Sequence, residues 1–225
     1  MLDMKRIIIF MVSFLVFYVL LNFLVPTLGL DKAYTNTFIK FGNAVYGDYG
    51  KLGQVEFVKA PAEDNIFKHP FKEYDDNVVI KILNKQQVKD AIALARQQRA
   101  TAVNVNHAEF SVNVWQLAWL PLLLLFSLIL ATPISIPRRL IALGLGLVLM
   151  TLFTLFKFWI RFVTEVNRHG WLEVGTLNST WKYAVTHANT IFMFMGISFT
   201  VAVLIWVLTT FRKSDKDLFL KKAAT

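Results

Sequence analysis

The chain has 225 residues, 56% of them hydrophobic and 20 of them phenylalanine, with a formal net charge of +9. That balance excludes an ordinary soluble domain, because uncharged apolar runs of about 20 residues indicate membrane spans. The chain has no cysteine, which excludes disulfides, thiolate nucleophiles, a lipobox and palmitoylation.

The positive charge is not placed as a nucleic-acid surface would place it. Lys5, Arg6, Arg138, Arg139, Arg212, Lys213, Lys216, Lys221 and Lys222 lie at or near the ends of apolar runs. That is the pattern of topology signals and of attraction to anionic headgroups, so membrane lipids are expected partners and nucleic acid is not.

After a short basic start, Ile7 to Val25 runs without a charge and is closed by Pro26. At the helical rise it spans about 28 Å, enough for the hydrocarbon core. A cleaved signal peptide is the rival reading. Its apolar stretch is normally about 7 to 15 residues and ends at a small-x-small site, which LVPTLGL does not supply. An uncleaved anchor is therefore expected over residues 1–29.

Residues 30–113 differ in kind, with 11 Lys/Arg and 10 Asp/Glu. Leu30, Tyr34, Phe38, Phe41 and Val45 mark one face of a helix, with Asp31 as its expected N-cap. GDYGKLG breaks it. Gln54 to Lys59 and Asn77 to Leu83 read as strands, separated by the polar loop APAEDNIFKHPFKEYDD. Asn84, with Gln87 three residues on, opens a second helix expected to reach Arg99. Thr101 to Val114 alternates as a strand does. The sum is a small α+β domain, near the lower size limit for independent stability.

Three further spans are expected within residues 114–211. Trp115 to Ala131 is the first, with Trp115 and Trp119 suited to an interfacial belt. Pro121 lies near its start, where few helical bonds are lost. The turn Thr132 to Arg139 follows, then Leu140 to Phe162. An outer wet loop is expected over 163–188, and Asn189 to Phe211 forms the last span. Residues 212–225 form a basic cytoplasmic tail. With the N-terminus inside, the three short inside segments carry two, two and five Lys/Arg, which satisfies the positive-inside rule. The expected fold is an α-helical membrane protein with four transmembrane helices and a small α+β extracytoplasmic domain between the first and second. Both termini are cytoplasmic in this map.

Lys157, Arg161, Glu165 and Arg168 repeat at four, four and three residues, which places them on one face if the third span continues as a helix past the membrane. Lys157 lies about 26 Å beyond Leu140, near the outer interface. One reading has Lys157 and Arg161 snorkelling to headgroups while Glu165 pairs with Arg161 and Arg168. The sharper one makes these residues, with His169, an anion or partner-binding site, since charge near the membrane is costly and often functional. His169 and Glu173, with His187 nearby, have metal-ligand spacing. No fourth ligand is evident and Gly170-Trp171 suits an interfacial turn, so neither a metal nor any cofactor is expected. His69 and His107 read as surface residues. Asn178-Ser179-Thr180 matches a glycosylation sequon. Gly144, Gly146, Gly196, Ser198 and Thr200 permit close helix contact, within the bundle or between copies. The spans hold no Asp or Glu, which argues against proton-coupled transport. No catalytic motif is recognisable.

The central stretch LPLLLLFSLILATPISIPRRLIALGLGLVL resembles the small membrane proteins that accompany exosortases in bacteria. The residues that carry the resemblance are Leu120, Pro121, Ala131, Thr132, Pro133, Pro137, Arg138 and Arg139. The exosortase itself is a membrane cysteine transpeptidase, and a chain without cysteine is not that enzyme. The resemblance implies an accessory role in surface-protein sorting, with no catalytic residue. The expected function is a non-enzymatic protein of the bacterial inner membrane that binds or positions a membrane-protein partner at the outer face. The alternatives are a sensor or assembly subunit of another envelope complex, and an enzyme using Arg161, Arg168 and His169 on a lipid-linked anionic substrate.

Overall fold

The computed structural model describes residues 4–60, 77–98, 105–175 and 177–211. It divides into two compact units: Met1–Leu30, Trp115–Lys157 and Phe192–Thr225 in the first, Asp31–Val114 and Phe158–Ile191 in the second.

In the first unit, α1 (Met4–Thr27) carries no charge beyond Arg6 and runs one residue past Pro26. A proline this close to the end disturbs little of the hydrogen-bond ladder. Gly29, at φ +68°, ends the helical stretch in the left-handed region. A π-helical turn, Trp115–Trp119, leads into α4 (Leu120–Ala131), with Pro121 in its first turn. The wider turn sits where the proline ring would otherwise press on the preceding backbone. α4 packs against α1 and against α7 (Met195–Thr210). The apolar half of α5 (Ile136–Arg168) also belongs here. A Cβ on Gly146 would lie 3.2 Å from Leu125 and 3.3 Å from Ile129, so this glycine lets α5 approach α4 closely.

The second unit is built on a four-stranded antiparallel meander, β1 (Asp48–Tyr49), β2 (Gly53–Lys59), β3 (Asn77–Asn84) and β4 (Ala108–Asn113), in that spatial order. Phe57 pairs with Ile80, Ile80 with Phe110 and Val78 with Val112. Period-two alternation turns these residues to one buried face. α2 (Leu30–Tyr46) lies so close that a Cβ on Gly42 would sit 2.5 Å from the Phe57 ring. The Asn43 amide bonds both the N–H of Phe57 (2.8 Å) and its C=O (3.0 Å), closing that part of the β2 edge. Phe158 and Phe162 of α5 complete the core. Their rings lie 5.4 Å from Phe38, 5.6 Å from Phe57 and 5.0 Å from Tyr46. α3 (Lys85–Gln97) starts at Asn84, whose side chain accepts from the N–H of Gln86 and Gln87.

Several expectations are corrected. The wet loop over 163–188 is mostly helix: α5 continues to Arg168, a 3-10 turn covers Gly170–Leu172, and α6 occupies Ser179–Phe192. Phe158, Phe162 and Val166 recur every four residues and are buried, so an apolar stripe carries the helix past the charges. Residues 158–191 accordingly belong to the α+β unit and not to the three-span domain 114–211. Asp31 is not an N-cap. It sits inside the first turn of α2, 3% exposed. β4 covers Ala108–Asn113, residues 105–107 before it are not strand, and Val114 already has helical geometry. Residues 99–104, the loop 61–76, and Arg212 and Lys213 with the rest of the tail lie outside the described residues.

Among the described residues, four unbroken spans are not found, and two helices, Met4–Thr27 and Ile136–Arg168, are long and apolar enough to cross a membrane. A third exists only if α6 and α7, bent by 74° at the break between them, count as one span. Trp115–Ala131 is a shorter apolar helix. The coarser architecture stands: a largely helical chain with two or three candidate spans and a small antiparallel sheet.

Candidate functional site

α5 carries every charged residue of the predicted cluster, but it distributes them between the two units. Lys157 belongs to the first. Its side chain does not snorkel; the residue is 3% exposed, and Nζ donates to Ser198 Oγ of α7 at 2.7 Å. Ser198 is itself fully buried. A residue read as a small packing position is thus the acceptor for an amine that would otherwise be a buried orphan.

Arg161, Glu165 and Arg168 lie together in the second unit. Arg161 Nη2 is 3.0 Å from Glu165 Oε1, and Arg168 Nη1 is 3.4 Å from Glu165 Oε2. The spacings i to i+4 and i to i+3 bring them onto one helix face. Their exposures differ in a way the sequence did not show. The Glu165 side chain is 3% exposed, that of Arg161 31% and that of Arg168 67%. The Arg161 guanidinium also lies over the Phe110 ring, 5.8 Å from its centre, within cation–π range. A buried carboxylate therefore orients two guanidinium groups. One is held against the sheet and the other stands in the open, with a net positive charge on the set.

His169 does not join them. It follows the end of α5, and its ring packs edge-on to Trp171 at 6.3 Å. The His169, Glu173 and His187 spacing is not realised as a metal site: among the described residues no three His, Cys, Asp or Glu side chains are grouped to hold an ion. His187 instead packs edge-on against Tyr183 at 4.0 Å. Within the sequon, the Asn178 side chain accepts from the Trp181 N–H at 2.9 Å and so caps α6.

Two polar arrangements escaped the sequence reading. Asn84, 3% exposed, donates through Nδ2 to the Leu172 carbonyl at 2.8 Å besides capping α3. It ties the end of β3 to the 3-10 turn beyond α5. The second involves Arg138 and Arg139, read as topology signals. Arg138 donates to the Thr210 carbonyl at the end of α7, and Arg139 to the Thr132 carbonyl at 3.0 Å, just past α4. Both cations thus sit where helix dipoles are negative. Trp206 Nε1 donates to Thr132 Oγ1 at 2.8 Å, closing the same corner. Lys5 and Arg6 are exposed on the first turns of α1.

Among the described residues, this geometry offers two guanidinium groups on one buried carboxylate. The chain matches no family model, no curated protein and no solved structure.

Proposed function

We propose that this chain is a multi-pass accessory protein of a bacterial inner membrane, without catalysis of its own, that binds or positions a partner at the outer face. The observation that carries the reading is the buried Glu165 carboxylate with Arg168, 67% exposed, on its outer side. Holding a guanidinium in place removes part of the entropy cost of binding a carboxylate or phosphate. A second cation on the same carboxylate leaves positive charge to attract one.

In this reading the membrane is crossed four times, by α1, Trp115–Ala131, the apolar part of α5, and α7. The 17 and 16 residues of the two shorter crossings reach about 25 and 24 Å. Flanking aromatics and local thinning accommodate the shortfall. The basic residues at both chain ends and at Arg138-Arg139 support cytoplasmic termini. The resemblance around Pro121 to Arg139 favours an exosortase-type sorting enzyme as the partner class.

The test is affinity purification of the full chain from its native membrane, with Arg168→Glu and Arg161→Ala beside the parent. The reading expects a polytopic protein to co-purify with the parent and to drop at least several-fold with Arg168→Glu at unchanged protein level. Undiminished co-purification with both variants, or turnover of a lipid phosphate by the purified chain, overturns it.

A further inference from the structure

None of the residues of α6 (Ser179–Phe192) is buried. Its sequence is nevertheless sharply divided. At 100° per residue, Trp181, Ala184, Val185, Ala188, Ile191 and Phe192 fall within one third of the helix circumference. Lys182, Thr186, Asn189 and Thr190 fall on the other side, with the Tyr183–His187 pair. On the apolar face Trp181 is 62% and Ile191 57% exposed. Among the described residues, then, the helix has an apolar stripe with little packed against it.

We propose that the bilayer surface covers this stripe: α6 is an in-plane membrane-binding helix, with its apolar side in the headgroup–acyl boundary.

Four observations favour lipid as the occupant. The helix has 14 residues, about 21 Å, too short to cross the hydrocarbon core. Its last residue, Phe192, belongs to the unit that holds the candidate spans, where its ring packs edge-on against Phe156 at 5.4 Å and lies 6.4 Å from Phe153, both on the apolar half of α5. The next helix, α7, is apolar and uncharged and begins three residues later. The residue types fit as well, with a tryptophan opening the apolar face and a lysine beside it on the polar face, as amphipathic interfacial helices have. A cation there also suits anionic headgroups.

The proposal rests on the membrane reading of the chain and not on any protein partner. Because the chain has no cysteine, each probe can be a single introduced thiol on the full-length protein. The variants are Ala184→Cys and Ala188→Cys on the apolar face, Thr186→Cys and Thr190→Cys on the polar face, and Leu208→Cys on α7, where Leu208 is 76% exposed. Each is spin-labelled, reconstituted in phosphatidylethanolamine–phosphatidylglycerol vesicles, and titrated with oxygen and with a water-soluble nickel chelate. The expected result is opposite phases with the helical period of about 3.6 residues. Oxygen collisions dominate at 184 and 188, at a depth of about 5–10 Å, and nickel collisions dominate at 186 and 190. Nickel access at all four positions, with the 208 probe still in lipid, overturns the proposal by placing α6 off the membrane. Shielding of 184 and 188 from both reagents overturns it in favour of a protein surface. A 208 probe that reads water overturns the membrane reading on which the proposal stands.

Discussion

Replacing Phe162 with alanine tests whether the last turns of α5 are core or loop. The side chain is wholly buried, and its ring lies 5.0 Å from Tyr46, 4.9 Å from Tyr49 and 6.3 Å from Phe158. A buried phenylalanine cut to alanine costs about 3–5 kcal/mol, the sum of lost transfer free energy and the cavity left behind. The ring contacts, about 0.5–1.5 kcal/mol each, favour the upper half of that range. A loss of about 4 kcal/mol lowers the folded-to-unfolded ratio of the α+β unit roughly a thousandfold. For a unit of this size it also lowers the midpoint by roughly 15 °C. The assay is pulse proteolysis of the full chain in bicelles across a urea series, following cleavage within the unit. Leu152→Ala is the control: it lies on the same helix, 57% exposed, and should shift stability by no more than about 0.5 kcal/mol. If Phe162→Ala is no worse than Leu152→Ala, the packing argument is refuted.

Asn84→Ala removes the α3 cap and the bond to the Leu172 carbonyl together. A cost of about 2–3 kcal/mol is expected in the urea midpoint, with faster amide exchange at Gln86 and Gln87; an unchanged midpoint contradicts the junction role. Ser198→Ala leaves the buried Lys157 amine without its acceptor and should lower resistance to SDS unfolding by about 1–3 kcal/mol. Equal resistance would mean that the contact contributes nothing. Burial raises the Tyr49 phenol above its ordinary value of 10.0, and burial followed by repulsion from Tyr49 raises that of Tyr46. The folded state therefore holds these protons more tightly than the unfolded one. Their contribution is complete below pH 10 and is lost as pH climbs through the raised values. An alkaline urea series should show stability level up to pH 10 and falling above it, with the fall blunted in Tyr46→Phe.

What the sequence revealed depended on whether a pattern was local. β2, β3 and the Asn84 start of α3 each declare themselves within a few residues, through alternation and capping chemistry, and their ends fall within a residue or two of expectation. The tail of α5 was placed in a wet loop from residue 163, although the spacing of Arg161, Glu165 and Arg168 already allowed a helix through them. The stripe Phe158, Phe162, Val166 on the other side decides the conformation. α6 was missed within the wet loop expected over 163–188, although Trp181, Ala184, Val185 and Ala188 already had helical spacing. The break after Phe192 carries one small signal, Gly196, where an added Cβ would lie 2.5 Å from the Phe194 ring; Met193, Phe194 and Met195 themselves are apolar and give none. The pairing of Lys157 with Ser198 links residues 41 apart in sequence, and the carbonyl contacts of Arg138 depend equally on which helices become neighbours. Composition identifies such residues without saying what they meet.

The central claim is that Arg168 stands on the outer face while the Arg138-Arg139 turn stands in the cytoplasm. Thiol labelling of intact cells with a membrane-impermeant maleimide tests it most directly. Gly170→Cys is suited to the first position, since nothing lies within 4 Å of an added Cβ there, and Pro137→Cys, at an exposed residue, to the second. Gly170→Cys is expected to be labelled from outside and Pro137→Cys only after the membrane is permeabilised. Labelling of Pro137→Cys in intact cells, with Gly170→Cys protected, would contradict it.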